Sequence, residues 1–407
     1  MVPSGADTVL IRHRELGVKS SSVQRRMEQT LVRNLEDMLT FRDIPGDVSR
    51  VHGRLFIRTE EAAIEPATDA ATVTFGVASA SPAVSVPARQ DAIEAGLADL
   101  AEQAYHGGSF AVRARRAGPR SAHGFTSMDL ERTGGDAVWS AVSGSFDPTV
   151  DLDQPDVTFY VECREDRAYL YLEHVEGPSG FPLGTQGRVV ALISGGIDSP
   201  VAAWEMMRRG CEITPIYFDF EDYGGPDHVA RALESVRHLT AFAPGREIQC
   251  HRAPIGPAVE ELLAEVENTR MVSLRRLMFA VAERIAEGVD AHGLVTGEAL
   301  GQKSSQTGAN MSVASAELTV PIYRPLLTWD KQTIIAKARD IGTYEEATID
   351  AGCNRVAPTH PATHARREQV SAAEPTGFMD HVEEIIARTE PISIEPERPS
   401  RPVVASG

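Results

Sequence analysis

The chain turns on one stretch, Val-Val-Ala-Leu-Ile-Ser-Gly-Gly-Ile-Asp-Ser-Pro at residues 189–200. An apolar run enters a Ser-Gly-Gly turn, and Asp-Ser-Pro leads into a segment of helical spacing, 201–209, that Gly210 stops. Locally this is a buried strand, a tight loop and a helix N-terminus. Gly195 and Gly196 lack Cβ atoms, so the backbone can take positive φ and bring N–H groups close to an anion. Ser199 is expected to cap the helix and Pro200 to open its first turn, where no N–H is needed. Free N–H groups and the helix dipole then point at whatever the loop holds, and a phosphate or pyrophosphate suits that place. The phosphate loop of the Gly-x-x-x-x-Gly-Lys-[Ser/Thr] type is absent. A plain Gly-Ser turn in a nucleotide-free α/β domain is the alternative.

Downstream of residue 188, strands expected at 188–193, 212–219, 246–251 and 292–296 alternate with helices near 200–209, 227–241, 256–267, 270–287 and 330–341. That alternation requires a doubly wound parallel sheet. Ligands in such sheets sit beyond the carboxyl ends of the strands, where residues 194–199, Tyr217, Phe218 and 296–298 fall. Upstream, residues 8–60 read as strand, helix, strand, with Met27, Leu31, Leu35 and Met38 on one helical face. A strand is expected at 72–78, then a Ser/Pro-interrupted stretch at 79–87, a helix at 91–105 and a strand at 109–116. A helix capped by Thr126 or Ser127 follows, and then two more strands. Gly and Pro mark a connector at 177–187, and the last forty or so residues read as a weakly ordered acidic, Pro-rich tail.

A net charge of −18 argues at face value against a nucleic-acid partner. Lysine, however, occurs only at 19, 303, 331 and 337, so 36 of 40 basic residues are arginine. An acidic, lysine-poor chain fits a salt-adapted, halophile-like cytoplasm, and its charge then reports habitat more than ligand. Positive charge gathers locally at Arg113, Arg115, Arg116 and Arg120, which on composition alone reads as a solvated strand edge. No apolar run is long enough to span a membrane and the N-terminus is unlike a signal peptide, so a cytoplasmic protein is expected. Cys163, Cys211, Cys250 and Cys353 form no Cys-x-x-Cys pair, which argues against a zinc or disulfide framework. The first three lie in apolar segments and Cys353 in a polar loop. His360 and His364 are four apart, but Pro361 interrupts the helix that a metal pair would need.

Residues 194–199 resemble the PP-loop of ATP pyrophosphatases, which split ATP into AMP and pyrophosphate while activating a carbonyl. Five further stretches fall in the same order as in the tRNA 4-thiouridine synthetase family. They are Phe-Ala-Val-Arg-Ala-Arg-Arg at 110–116, Phe-Thr-Ser-Met-Asp-Leu-Glu-Arg at 125–132, Gly-Phe-Pro-Leu-Gly-Thr-Gln-Gly at 180–187, Thr-Gly-Glu-Ala-Leu-Gly-Gln-Lys-Ser-Ser-Gln-Thr at 296–307 and Arg-Pro-Leu-Leu-Thr-Trp-Asp-Lys at 324–331. The sequence resembles that family from residue 8 to about 368. The resemblance implies an N-terminal ferredoxin-like domain at 1–62, a THUMP RNA-binding domain at 63–176, a linker at 177–187, a PP-loop domain at 188–370 and a tail at 371–407. This is a multidomain α/β and α+β chain whose last domain is an adenine nucleotide alpha hydrolase-like sheet.

The resemblance also implies a mechanism. ATP adenylates O4 of a tRNA uracil, expected to be uridine 8, so that AMP becomes the leaving group. The PP-loop residues Ser194, Gly195, Gly196, Asp198 and Ser199 hold the pyrophosphate with Mg²⁺ bridging its charges. Asp198 can bind that metal, shape the loop or cap the helix. Leu192, Ile193, Tyr217, Phe218, Arg275, Gly297 and Gln306 line the nucleotide by family likeness; without it Leu192, Ile193 and Phe218 read as core. Lys331 matches the functional lysine and otherwise reads as a surface lysine in a first helical turn. Cys353 matches the catalytic cysteine that carries sulfur to C4, and otherwise is a loop cysteine. The resemblance favours tRNA contacts for Arg113, Arg115, Arg116 and Arg120 and leaves a homodimer open. Many relatives carry a C-terminal rhodanese domain, whereas the tail here lacks cysteine, so sulfur is expected from a separate persulfide carrier or as sulfide. The rival readings are a different PP-loop tRNA thiolase, an amidating ligase, and a non-catalytic tRNA-binding or quality-control protein. Service to thiamine thiazole synthesis is a side role of the family.

Overall fold

The computed structural model describes every residue except 52, 225, 348–355 and 397–407, so Cys353 lies outside the described residues. The chain divides into two compact units, Met1–Gly180 and Phe181–Gly407.

In the first unit, β1 (Thr8–Arg12), α1 (Ser21–Phe41), β2 (Asp47–Val51), β3 (Arg54–Arg58) and α2 (Glu61–Thr72) lead into β4 (Ser79–Pro87). Then follow α3 (Gln90–Ala104), β5 (Ser109–Arg116), α4 (Ser127–Val142), β6 (Thr149–Val150), β7 (Val157–Cys163), β8 (Arg167–Tyr171) and β9 (Val175–Glu176). All nine strands form one sheet in the order β2-β3-β1-β4-β8-β7-β5-β6, with β9 beside β4. The sheet is continuous because β4 changes partners along its length. Residues 79–83 pair with β1, and residues 84–87 pair with β8. β9 takes only residues 79 and 80, so Pro82 sits where β4 has no partner on that side and its missing N–H costs no ladder bond.

The strand expected at 72–78 is a correction: α2 ends at Thr72, and the strand is the Ser/Pro stretch at 79–87. Residues 79–83 are buried throughout and pair with β1, and the gap in pairing accommodates the proline there. Elsewhere α1 buries Met27, Leu31, Leu35 and Met38. α3 and α4 cover one face of β5, β7 and β8, packing Ile93, Leu97, Leu130 and Val138 against Phe110, Val112, Phe159 and Leu170. The start of α4 is fixed by a reciprocal capping box between Thr126 and Asp129.

The second unit runs β10 (Arg188–Ile193), α5 (Asp198–Arg208), β11 (Glu212–Asp219), α6 (Pro226–Thr240), β12 (Ile248–Pro254), α7 (Gly256–Glu265), α8 (Arg270–Gly288) and β13 (Leu294–Val295). It continues through α9 (Gly308–Ala314), β14 (Ile322–Tyr323), α10 (Lys331–Asp340), α11 (Tyr344–Ala347), α12 (Arg367–Ala373), α13 (His381–Arg388) and β15 (Glu390–Ile394). The sheet order is β14-β13-β10-β11-β12-β15. The first five strands are mutually parallel and β15 is antiparallel to β12. Val190, Ile216, Phe218, Ala253 and Leu294 face one core with α7, α8 and α13. α5 and α6 pack on the same sheet through β10 and β11.

The expected weakly ordered tail is a second correction, because residues 371–394 belong to this unit. Phe378, Val382 and Ile385 are buried in the core with α8, and β15 covers the edge of β12. Their spacing of four and three is a helical apolar stripe, which surrounding acidic and proline residues hide in a composition count.

Candidate active site

The stretch at 189–200 folds as strand, loop and helix, but with a different division of labour from that expected. α5 begins at Asp198, and no side chain caps it. Ser199 is its second residue, and its Oγ closes the loop instead, accepting from the Ser194 N–H at 2.9 Å and donating to the Ser194 carbonyl at 3.2 Å. Pro200 is still among the four residues whose N–H has no intrahelical acceptor, so it remains cost-free. The Ser194 hydroxyl accepts from the Gly196 N–H at 3.3 Å. The loop is thus pinned at its neck by serine hydroxyls. Gly195 lies against α6, where an added Cβ would come 3.3 Å from Arg231 Cβ.

Two later segments meet this loop. Directly after β13, Gly297 presses on the first turn of α5: an added Cβ would lie 2.7 Å from both Asp198 C and Ser199 N. Only glycine allows that approach. At the start of α10, Asp330 caps the helix by accepting from the Thr333 N–H at 2.8 Å. Lys331 then reaches back to donate to Asp198 Oδ1 at 2.7 Å. The pair is not sealed: Lys331 keeps 42% and Asp198 19% of side-chain exposure. A charged pair at an open helix N-terminus can exchange partners with an incoming polyphosphate, since neither charge is locked in the core.

Among the other residues singled out, Phe218 is core, Leu192 packs partly buried against that core, and Ile193 and Tyr217 are buried. All four sit at the carboxyl ends of β10 and β11, so backbone groups and edges rather than whole side chains are what they present. Gln306, in the 3₁₀ turn Ser304–Gln306, is 5% exposed, and its Oε1 has no hydrogen-bond partner among the described residues. A buried amide oxygen left open fits the exocyclic amine of adenine. Arg275, on α8, is tied to the carboxylate of Glu298, and burial together with the nearby Arg324 charge pushes its guanidinium down to about 10. It therefore stays charged at neutral pH.

Sequence reasoning missed the hub of that group. Glu298 is 2% exposed and accepts from Arg275 Nη1, from Arg324 Nε at 2.7 Å and from Thr296 Oγ1 at 2.9 Å. Asp219, at the end of β11, accepts from Arg252 Nε at 2.8 Å and was missed likewise. Among the described residues, no group of three or more His, Cys, Asp or Glu side chains is placed to hold a metal ion.

In the first unit, Arg113 and Arg115 are exposed on one face of β5. Arg113 donates to the Leu152 carbonyl, and Arg116 donates to the Phe125 carbonyl with its guanidinium 5.7 Å from that ring. Arg115 pairs through its backbone with β7 and its side chain is exposed. Arg120 opens the short 3₁₀ turn Arg120–Ala122.

Comparison with known proteins places these features in a family. Residues 8–81 match the ThiI ferredoxin-like domain, residues 87–173 the THUMP domain, and residues 184–377 the family described as thiamine biosynthesis protein (ThiI). A Halobacterium salinarum protein named "Probable tRNA sulfurtransferase" is 53% identical over 394 residues, covering 97% of this chain and 99% of its own. A Methanosarcina acetivorans protein of the same name is 39% identical, with 90% and 89% covered. Among solved structures, a 4-thiouridine synthetase in complex with RNA and bound ATP superposes with a TM-score of 0.83 at 27% identity, covering 96% of this chain and all of the other. A Pyrococcus horikoshii structure, TM-score 0.64 at 21% identity over 83% of this chain and 99% of its own, shares the fold. With all three of its domains matched in order and near-complete coverage of relatives above 30% identity, the chain belongs to the ThiI family of tRNA sulfurtransferases.

Proposed function

We propose that this chain is an ATP-dependent tRNA uridine 4-sulfurtransferase. The observation that carries the proposal is the Lys331–Asp198 pair, set over a serine-pinned loop beside Gly297, in a chain that aligns along its length with proteins named tRNA sulfurtransferase. The loop N–H groups and the N-terminus of α5 suit the β- and γ-phosphates of ATP. Asp198 would be the carboxylate to hold a Mg²⁺ accompanying the polyphosphate, whose negative charge the ion would neutralise, with Lys331 turned to phosphate. Uracil O4 attacks the α-phosphorus, pyrophosphate leaves, and the developing negative charge falls beside Lys331. Sulfur carried on Cys353 as a persulfide attacks C4 through its outer atom, and AMP departs with the original oxygen; a thiol then cleaves the sulfur–sulfur bond, leaving the thiocarbonyl on the base and a disulfide between Cys353 and that thiol. The persulfide sulfur comes from a separate carrier; free sulfide in its place attacks C4 directly, without loading Cys353. Arg115, with Arg113, Arg116 and Arg120, supplies cationic contacts for tRNA phosphates.

The test incubates the purified chain at high salt with unmodified tRNA, Mg-ATP and a persulfide donor with a thiol reductant, or free sulfide in a second arm, and measures thiouridine absorbance and AMP. Both are expected with the wild type, and neither thiouridine nor tRNA-dependent AMP with Asp198→Ala. Cys353→Ala is expected to make no thiouridine from the persulfide donor. Thiouridine formed without ATP consumption would overturn the adenylation step. Full activity of Cys353→Ala with the persulfide donor would remove the cysteine from the pathway.

A further inference from the structure

Two guanidinium groups converge on one buried carboxylate in the second unit. Glu298 is fully occupied by Arg275, Arg324 and Thr296, so its charge is shared between two cations and the cluster carries one excess positive charge. Burying a cation without a matching anion is costly, and such groups cluster at functional sites. The Nη2 of Arg324 is itself buried with no hydrogen-bond partner among the described residues. The side chain as a whole keeps 18% exposure, so the residue is not closed into the core, although Nη2 itself is covered.

Its position says which group it waits for. Arg324 follows β14 directly, and the Thr296 N–H bonds the Tyr323 carbonyl at 3.1 Å, so Arg324 lies at the carboxyl edge of the sheet next to Thr296. One residue on, Gly297 touches the first turn of α5. The excess charge therefore stands beside the pyrophosphate loop, on the β13–β14 side of it. A nucleotide with its terminal phosphates in that loop has its remaining phosphate as the nearest anion.

We propose that Arg324 binds the α-phosphate of ATP and of the adenylate, and that Glu298 is a positioning residue that fixes the Arg324 guanidinium through Nε and leaves Nη2 for the phosphate. The inference rests on the function proposed above. Phosphate of the RNA backbone has the same chemistry, and the experiment separates the two sources.

Equilibrium binding of ATP, AMP, adenosine and inorganic pyrophosphate is measured by calorimetry on the full chain, with tRNA measured separately. Arg324→Met is expected to weaken ATP and AMP by about 10- to 100-fold, the range for a charge-assisted hydrogen bond, while adenosine and pyrophosphate change by less than about two-fold. Arg324→Lys keeps the charge but not the fork, and should fall between wild type and Arg324→Met. Glu298→Gln should weaken AMP in the wild type and add nothing in Arg324→Met, a coupling that an independent structural effect would not produce. Unchanged AMP affinity in Arg324→Met overturns the inference, as does a loss confined to tRNA. Should Arg324→Met fail to fold by circular dichroism, the Arg324→Lys affinities decide in the same way. A wild type that binds no ATP at all would remove the proposed function itself, whereas a wild type that binds ATP equally well with and without Arg324 removes this inference alone.

Discussion

One methyl group at position 297 would set backbone against backbone. Because the atoms it would strike belong to the first turn of α5, there is no flexible side chain to give way. Gly297→Ala is expected to push the start of α5 from the loop, weaken ATP binding at least about ten-fold and cost about 1–3 kcal/mol, checked by calorimetry and by chemical denaturation. Loss of stability with full ATP affinity would show that the contact only packs the fold. At this scale the sequence was partly legible. Residue types that favour a phosphate loop are local and were readable in Ser194, Gly195, Gly196 and Ser199. What Ser199 does with its hydroxyl was not, because an N-cap and a loop-closing bond use the same residue one position apart. Glu298 falls in the 296–298 segment expected at the ligand-binding strand ends, but its role as an ion-pair hub was hidden for a different reason. Its partners Arg275 and Arg324 stand 23 and 26 residues away, and no periodicity encodes that meeting.

At the scale of elements, the alternation after residue 188 was readable because strands buried on both faces are plain apolar runs. β4 and the α13–β15 segment were not, since each carries proline or acidic residues that outweigh a short apolar pattern when counted by composition. In the structure Phe378 is among the largest fully buried side chains, although it lies beyond the last matched motif. Phe378→Ala is expected to destabilise the second unit by about 3–5 kcal/mol, measured by urea unfolding, and to lower ATP affinity little where the unit stays folded. A cost below about 1 kcal/mol would mean that the C-terminal elements are not part of the cooperative core. Their attachment is electrostatic as well as apolar: Arg388 of α13 donates to Glu221 at 2.6 Å, just past the end of β11.

For the whole molecule the governing quantity is a net charge of −18. Self-repulsion of that size opposes compactness and is screened over about 10 Å at 0.1 M salt and about 3 Å at 1 M. The melting temperature is therefore expected to rise by roughly 5 °C or more between 0.1 and 2 M KCl, followed by circular dichroism. A flat or falling profile would show that the acidic surface is not a salt adaptation. tRNA binding moves oppositely, because displaced counterions favour it less as salt rises. Activity with both demands on one chain should pass through a maximum in salt.

The Lys331–Asp198 pair joins residues 133 apart in the chain, and β15, which closes the sheet beside β12, ends at Ile394. During synthesis the loop therefore emerges long before the lysine that completes it, and longer still before the strand that seals the sheet. A nascent chain holds the glycine loop without its counter-charge. The proposed ATP site is thus complete only after residue 331 has been made, and a product interrupted before it would carry the first unit without that site.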